Sequence, residues 1–231
     1  MPKVKKIGSK RYSKAHATID RKKTYSVDEA IALVKQNAGA KFDETIEAVV
    51  NLNLLSKHSI RDTISFKHGF GKEKRVLVFA RGDKADEATK AGADFVGAED
   101  LMEKIKGGWV DFDVAISTPD LMKDVGKLGQ VLGKRGLMPN PKTGTVTMNL
   151  ESTVKAFKKG RVEYRAEKAG IVHMAVGKAS MAADALKDNF LMFYEDVMKK
   201  RPSDIKGDYV RKVCLTSTMG PGLKIDFKKL K

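Results

Sequence analysis

Cysteine is nearly absent from this chain: Cys214 is the only one among 231 residues. No internal disulfide can form, and a reducing cytosol fits. The four histidines, His16, His58, His68 and His173, are scattered without metal-ligand spacing, which argues against zinc or any other bound metal. No apolar run is long enough to span a bilayer, and no basic helix with a strong apolar face stands out, so no membrane partner is expected. The basic N-terminus is not followed by the apolar core of a secretory signal. Carboxylates are in deficit, with 29 Asp and Glu against 45 Lys and Arg, a formal net charge of +16. Such an excess implies a polyanionic partner, of which nucleic acid is the commonest. Apolar residues make up 42% of the chain, enough for a core, and the length suits one large domain or two small ones.

The stretch Val125–Thr147 has no acidic residue at all. It carries Gly126, Gly129, Gly133, Gly136 and Gly144, Pro139 and Pro141, and the cations Lys127, Lys134, Arg135 and Lys142. Glycines that allow close backbone approach, mixed with cations, suit a phosphate-rich surface; a plain solvated basic loop is the other reading. It is not a nucleotide cradle. A Walker loop needs glycine five positions before Gly133-Lys134, where Leu128 stands, and the spacing G-x-G-x-x-G is missing. A nucleotide-dependent enzyme built on this region is the alternative function. It lacks a Ser/His/Asp or Cys/His constellation, and no cofactor is implied.

Periodicity divides the chain. Residues 1–23 form a basic arm, flexible or briefly helical, with Lys3, Lys5, Lys6, Lys10, Arg11, Lys14, Arg21, Lys22 and Lys23 against Asp20. Ser26 and Glu29 have capping-box spacing, and Val27, Ala30, Ile31 and Val34 predict a helix over 27–37. Residues 45–54 alternate as a strand covered on one side, and a short strand follows near 62–66. After Lys67 the style changes to β-α-β-α-β: strands at 76–80, 94–96 and 112–116, helices at 84–91 and 98–106, then the glycine-rich run and a helix near 150–159. After Gly160 the first style returns, with strands at 161–165, 171–176 and 209–218 and a helix striped by Leu186, Phe190, Phe193 and Val197. The outer thirds therefore read as two halves of one α+β domain, 1–66 plus 160–231, interrupted by a parallel α/β domain, 67–159. Formal charge is +6, +4 and +6 over the three segments, and the glycine-rich run supplies all the excess of the middle one.

The run Lys127–Thr147, with RGLMPNPKTGTVT at 135–147, closely resembles the signature of the L-one family of ribosomal proteins, the family of the large subunit's mobile stalk. Three further stretches agree in order: AKFDET at 40–45, the segment Gly170–Ser180 ending VGKAS, and STMGP at 217–221. The chain departs from the family pattern at a shortened 55–59 loop, at Lys67 and Lys134 where proline is frequent, and at Ala166-Glu167. The resemblance implies a discontinuous split β-α-β domain with an inserted Rossmann-like three-layer α/β domain. It further implies a protein of the cytoplasmic ribosome, monomeric when free, with large-subunit rRNA, exit-site tRNA and its own operon mRNA as partners. Binding would be mainly through the first domain, with release of deacylated tRNA and repression of the operon as activities.

On this match the RNA-binding candidates are Lys41, Phe42, Glu44, Thr45, Arg161, Arg165, His173, Lys178, Ser180, Ser217, Thr218, Met219 and Gly220. From the residues alone, Phe42 reads better as a core ring, and the match reverses that preference to packing on a base or ribose. The Thr218 hydroxyl suits a ribose 2′-OH, or simple turn chemistry. Lys178 and Ser180 suit phosphate or a solvated strand end; His173 suits RNA or a structural role. Glu44 repels phosphate, so it would orient Lys41 or accept from a 2′-OH. Arg161 and Arg165 share one strand face, as a phosphate row or as exterior cations. Lys127, Lys134, Arg135 and Lys142 would give a second RNA contact, and Trp109 reads as packing. Phe42, Thr218 and Met219 are expected to converge.

Overall fold

A computed structural model of the chain describes residues 9–20, 22–55, 57–71 and 73–230. Of the basic arm, Lys3, Lys5, Lys6 and Arg21 lie outside the described residues, as does Ser56 of the 55–59 loop. The first elements are α1 (Lys10–Ala17), α2 (Val27–Asn37), β1 (Thr45–Leu52) and β2 (Arg61–Ser65). Then come β3 (Val76–Phe79), α3 (Asp83–Lys90), β4 (Phe95–Gly97), α4 (Glu99–Lys106) and β5 (Val114–Ser117). They are followed by α5 (Met122–Gly126), α6 (Gly129–Lys134) and α7 (Leu150–Lys158). The last are β6 (Arg161–Arg165), β7 (Ile171–Lys178), α8 (Ala183–Lys199), β8 (Val210–Ser217) and β9 (Leu223–Ile225). None of the described helices is long and apolar enough to cross a membrane.

The chain divides into two compact units. One holds residues through Ile60, Phe66–Phe70 and those from Tyr164 onward; the other holds Arg61–Ser65 and Gly71–Glu163. Both boundaries follow polar ties. β2 pairs with β6 in a two-stranded ribbon, Arg161 Nε donates to Thr63 Oγ1 at 2.7 Å, and Lys74 Nζ donates to the Arg161 carbonyl at 2.7 Å. Residues 66–70 go with the first unit because buried Asn189 on α8 accepts from the His68 amide at 3.2 Å and donates to its carbonyl at 2.8 Å.

The first unit is built on a four-stranded antiparallel sheet of order β7-β1-β8-β9. β7 and β8 both run antiparallel to the central β1 and are joined through α8, which makes a split β-α-β unit. The alternation of β1 is complete: Ile46, Ala48, Val50 and Leu52 are buried while Thr45, Glu47, Val49 and Asn51 are half-exposed. Two helices cover the buried face. Ser26 and Glu29 form the expected capping box of α2, and its Val27, Ala30, Ile31 and Val34 are buried. α8 buries Leu186, Phe190, Phe193 and Val197, as its stripe requires. β9 went unforeseen because three residues are too few to show alternation.

Entry to β7 depends on one glycine. Gly170 has φ +75°, its carbonyl accepts from the Leu52 amide at 2.8 Å, and a Cβ there would stand 2.6 Å from the Leu52 carbonyl oxygen. Gly170→Ala is expected to lower stability by about 1–3 kcal/mol, the usual cost of a strained backbone position. A urea midpoint that falls without a change in m checks this.

The second unit carries a parallel sheet of order β4-β3-β5. Leu77 and Phe79 face a core built with α4, α5 and α6, while Val76 and Val78 face α3 and α7, so helices lie on both faces in three layers. The glycine-rich run is not a bare loop. It holds the end of α5, all of α6 and a 3-10 turn at Pro141–Thr143, because Val125, Leu128 and Leu132 recur at helical spacing and are sealed in the core. Trp109 packs edge-on against Phe95 at 4.9 Å.

Candidate nucleic-acid interface

Antiparallel register decides where the candidate residues fall in the first unit. It sets Thr45, the first residue of β1, opposite Lys178 at the end of β7 and sets Ile46 opposite Ser217 at the end of β8. Segments 40–45, 178–180 and 217–220 therefore meet at one end of the sheet.

Glu44 ties them together. It is 1% exposed, and its carboxylate accepts from the Ala40 amide at 2.8 Å and the Met219 amide at 3.0 Å. Burial raises its pKa, but the Ser217 hydroxyl, the Met219 and Ala40 amides and the Arg11 charge outweigh burial and hold the carboxyl below the usual glutamate range. This corrects the expected role of Glu44: a buried, occupied carboxylate does not reach a 2′-OH and does not orient Lys41. It fixes the backbone on which Phe42 and Met219 stand. Gly220 belongs to the same knot, since a Cβ there would lie 2.5 Å from Ser217 Oγ.

The surrounding polar side chains are also partly engaged. The Thr218 hydroxyl accepts from the Thr45 amide at 2.9 Å and lies 3.2 Å from the Thr45 carbonyl, so it is shared with β1 rather than free. Lys178 Nζ donates to Thr45 Oγ1 at 2.8 Å. Ser180 gives its amide and hydroxyl to Asp43 at 3.1 and 2.8 Å. What remains outward is Lys41, the exposed rings and chains of Phe42 (55%) and Met219 (48%), and the outer side of Thr218. An apolar pair beside cations, on a backbone held from three strand ends, is suited to stacking on a base while gripping phosphate.

Sequence reading missed Arg11 and Asp43. Arg11 on α1 lies 3.5 Å from Glu44 Oε1 and donates to the Met219 carbonyl at 3.5 Å, which sets a helix of the basic arm against this cluster. The arm's charge was legible, its docking point was not. His173 stands apart, exposed at mid-strand opposite Val49 on the sheet face away from α2 and α8. Arg161 and Arg165 stand at the two ends of β6, at even spacing along the strand. Arg161 is half-buried in the second unit, hydrogen-bonded to Thr63 and lying over the Phe157 ring at 5.6 Å, while Arg165 is exposed in the first. Among the second-unit cations, Lys127 is paired with Asp124 at 2.9 Å, one residue outside the acid-free run. Lys134, Arg135 and Lys142 make no ion pair among the described residues.

The profile of the Ribosomal protein L1p/L10e family matches residues 34–221. The chain belongs to this family. The large ribosomal subunit protein uL1 of Borrelia hermsii (strain HS1 / DAH) is 54% identical over 218 residues, covering 94% of this chain and 97% of the relative. That of Fervidobacterium nodosum is 54% identical over 226 residues, 96% of each chain. That of Borreliella burgdorferi (strain B31) is 52% identical over 218 residues, 94% of this chain and 96% of the relative. The L1p/L10e match contains Lys41–Thr45, Lys178–Ser180 and Ser217–Gly220 within its bounds. Membership sets aside the nucleotide-dependent enzyme, because the family is one of ribosomal proteins and is not enzymatic.

Proposed function

We propose that this chain is a structural protein of the large ribosomal subunit that holds large-subunit rRNA mainly through its first unit. It acts at the ribosome in the cytoplasm. The observation that carries this reading is the gathering of Lys41, Phe42, Thr218 and Met219 at one sheet end in a chain of net charge +16. The second unit adds a phosphate contact through Lys134, Arg135 and Lys142, with Lys127 weakened by its partner Asp124. Assistance to departing deacylated tRNA and repression of its own operon mRNA complete the proposal, the latter through the same RNA surface.

The test is a filter-binding salt series with deproteinised large-subunit rRNA. Each phosphate neutralised adds roughly 0.9 to the log–log slope on duplex and about 0.7 on single strands, so a slope of several units is expected. A slope near zero refutes the reading. Competition by DNA as strong as by RNA also refutes it, since 2′-OH contacts are part of the site.

A further inference from the structure

The sheet of the first unit has a face that α2 and α8 do not cover. Half-exposed Glu47, Val49 and Asn51, exposed His173 and Lys212, and half-buried Cys214 and Thr216 lie on it. At its β9 side the chain adds an edge: Tyr25 donates its amide to the Lys224 carbonyl and accepts from the Asp226 amide, both at 2.9 Å. Between this edge and β8–β9 lies a cavity of about 210 Å³ lined by Ile19, Asp20, Lys23, Tyr25, Lys212, Cys214, Gly222 and Lys224.

Its chemistry is layered. Ile19 and Tyr25 are buried and, with the half-buried Cys214, give an apolar floor. Lys23, Lys212 and Lys224 stand around it from three separate segments. Lys23 lies over the Tyr25 ring at 5.0 Å and 3.8 Å from Glu29; Lys212 and Lys224 make no ion pair among the described residues. One Asp20 oxygen accepts from the Lys22 amide at 2.9 Å, and among the described residues the other has no hydrogen-bond donor. Two unneutralised ammonium groups at an apolar hollow, with one spare acceptor, match the phosphate, ring and hydroxyl or amino group of a nucleotide. The volume is below the roughly 300–1,000 Å³ of sites that hold free small molecules, which favours one unit of a longer strand.

We propose that this cavity takes a single unstacked nucleotide of the bound RNA, its phosphate between Lys212 and Lys224. The inference rests on the reading of the sheet end as the RNA interface. Lys212, Cys214 and Thr216 share one face of β8, and Thr218 follows at the sheet end, about 13 Å from Cys214 at the rise of an extended strand. A strand leaving Phe42 and Thr218 therefore runs down β8 to the cavity. Glu47, opposite Thr216, repels phosphate and keeps the path on the β8–β9 side.

Cys214, the chain's single cysteine, reports on occupancy. Its alkylation by the uncharged reagent N-ethylmaleimide should slow several-fold when the full-length protein is saturated with deproteinised large-subunit rRNA. Millimolar inorganic phosphate or uridine monophosphate should leave the rate unchanged. The double variant Lys212→Ala/Lys224→Ala should fold as the parent and lose about 0.7 from the salt slope, the value for one phosphate on a single strand. Equal alkylation with and without bound RNA, or an unaltered slope, overturns the inference. Protection by phosphate or the mononucleotide as strong as by RNA also overturns it, by making the cavity a free-anion site. Phe42→Ala run in parallel separates the two levels: if it weakens binding while the lysine pair has no effect, only the cavity assignment fails.

Discussion

Glu44→Ala should destabilise the first unit and abolish most RNA affinity together. The carboxylate is 1% exposed and receives two backbone amides, at 2.8 and 3.0 Å. Alanine leaves both without a partner, at a cost of about 1–3 kcal/mol for each buried group left unmade. The segments that carry Phe42 and Met219 then lose their common anchor, and a loss of affinity above tenfold is expected. Urea unfolding followed by circular dichroism, with hydrogen exchange at the Ala40 and Met219 amides, measures the first effect; filter binding measures the second. The pH dependence has a definite sign. The folded-state pKa of Glu44 is lowered, so its stabilisation is complete above the unfolded value of about 4.3 and is lost as pH falls through the folded value. Glu44→Gln should remove that part of the acid sensitivity. A stability within about 0.5 kcal/mol of the parent in Glu44→Ala, the range of ordinary surface changes, would show that the knot is not held by this carboxylate.

Phe42→Ala should do the opposite: little change in stability, a large change in binding. The ring is 55% exposed in the free protein, so its removal opens no cavity. If it stacks on a base, its loss costs about 1–3 kcal/mol of affinity and leaves the salt slope intact, because no cation is removed. Thr218→Val mixes two effects. It takes away any hydroxyl contact to RNA and also orphans the Thr45 amide now bonded at 2.9 Å. Thr218→Ser keeps the internal bond and so separates them: retained stability and retained affinity are expected. Wild-type affinity in both Phe42→Ala and Thr218→Val would refute the interface even though family membership stands.

The helices and strands were legible where periodicity is local. Val27, Ala30, Ile31 and Val34 with the Ser26–Glu29 box specify α2, and the strict alternation of 45–52 specifies β1 and its covered face. The glycine-rich segment misled because glycine weakens the helical prior, although Val125, Leu128 and Leu132 hold a helical spacing within it. At the candidate interface, Phe42, Thr218 and Met219 were found through motif resemblance, and their convergence follows from sheet register. The role of Glu44 was not legible. Its setting is completed by the Met219 amide, 175 positions away, and an isolated glutamate before a strand reads as solvated. Arg11 was hidden for the same reason, as one cation among many until α1 is docked.

The central position of β1 has a consequence for how the molecule is made. Its two neighbours, β7 and β8, are encoded after the whole second unit, and Leu52 pairs with Val210. At roughly 5–20 residues per second of synthesis, β1 waits about 8–30 s for that partner while unit-two elements of short sequence separation can already close. Until β7 is made, within this delay, the apolar strand is unpaired on both edges and exposed to misassembly, and its β8 edge stays open to the end. The proposed RNA surface appears last of all, since Phe42 is translated early and Thr218 nearly at the end. A chain broken off before position 218 carries most of the positive charge but not the assembled surface. Premature products therefore lack the assembled sheet end.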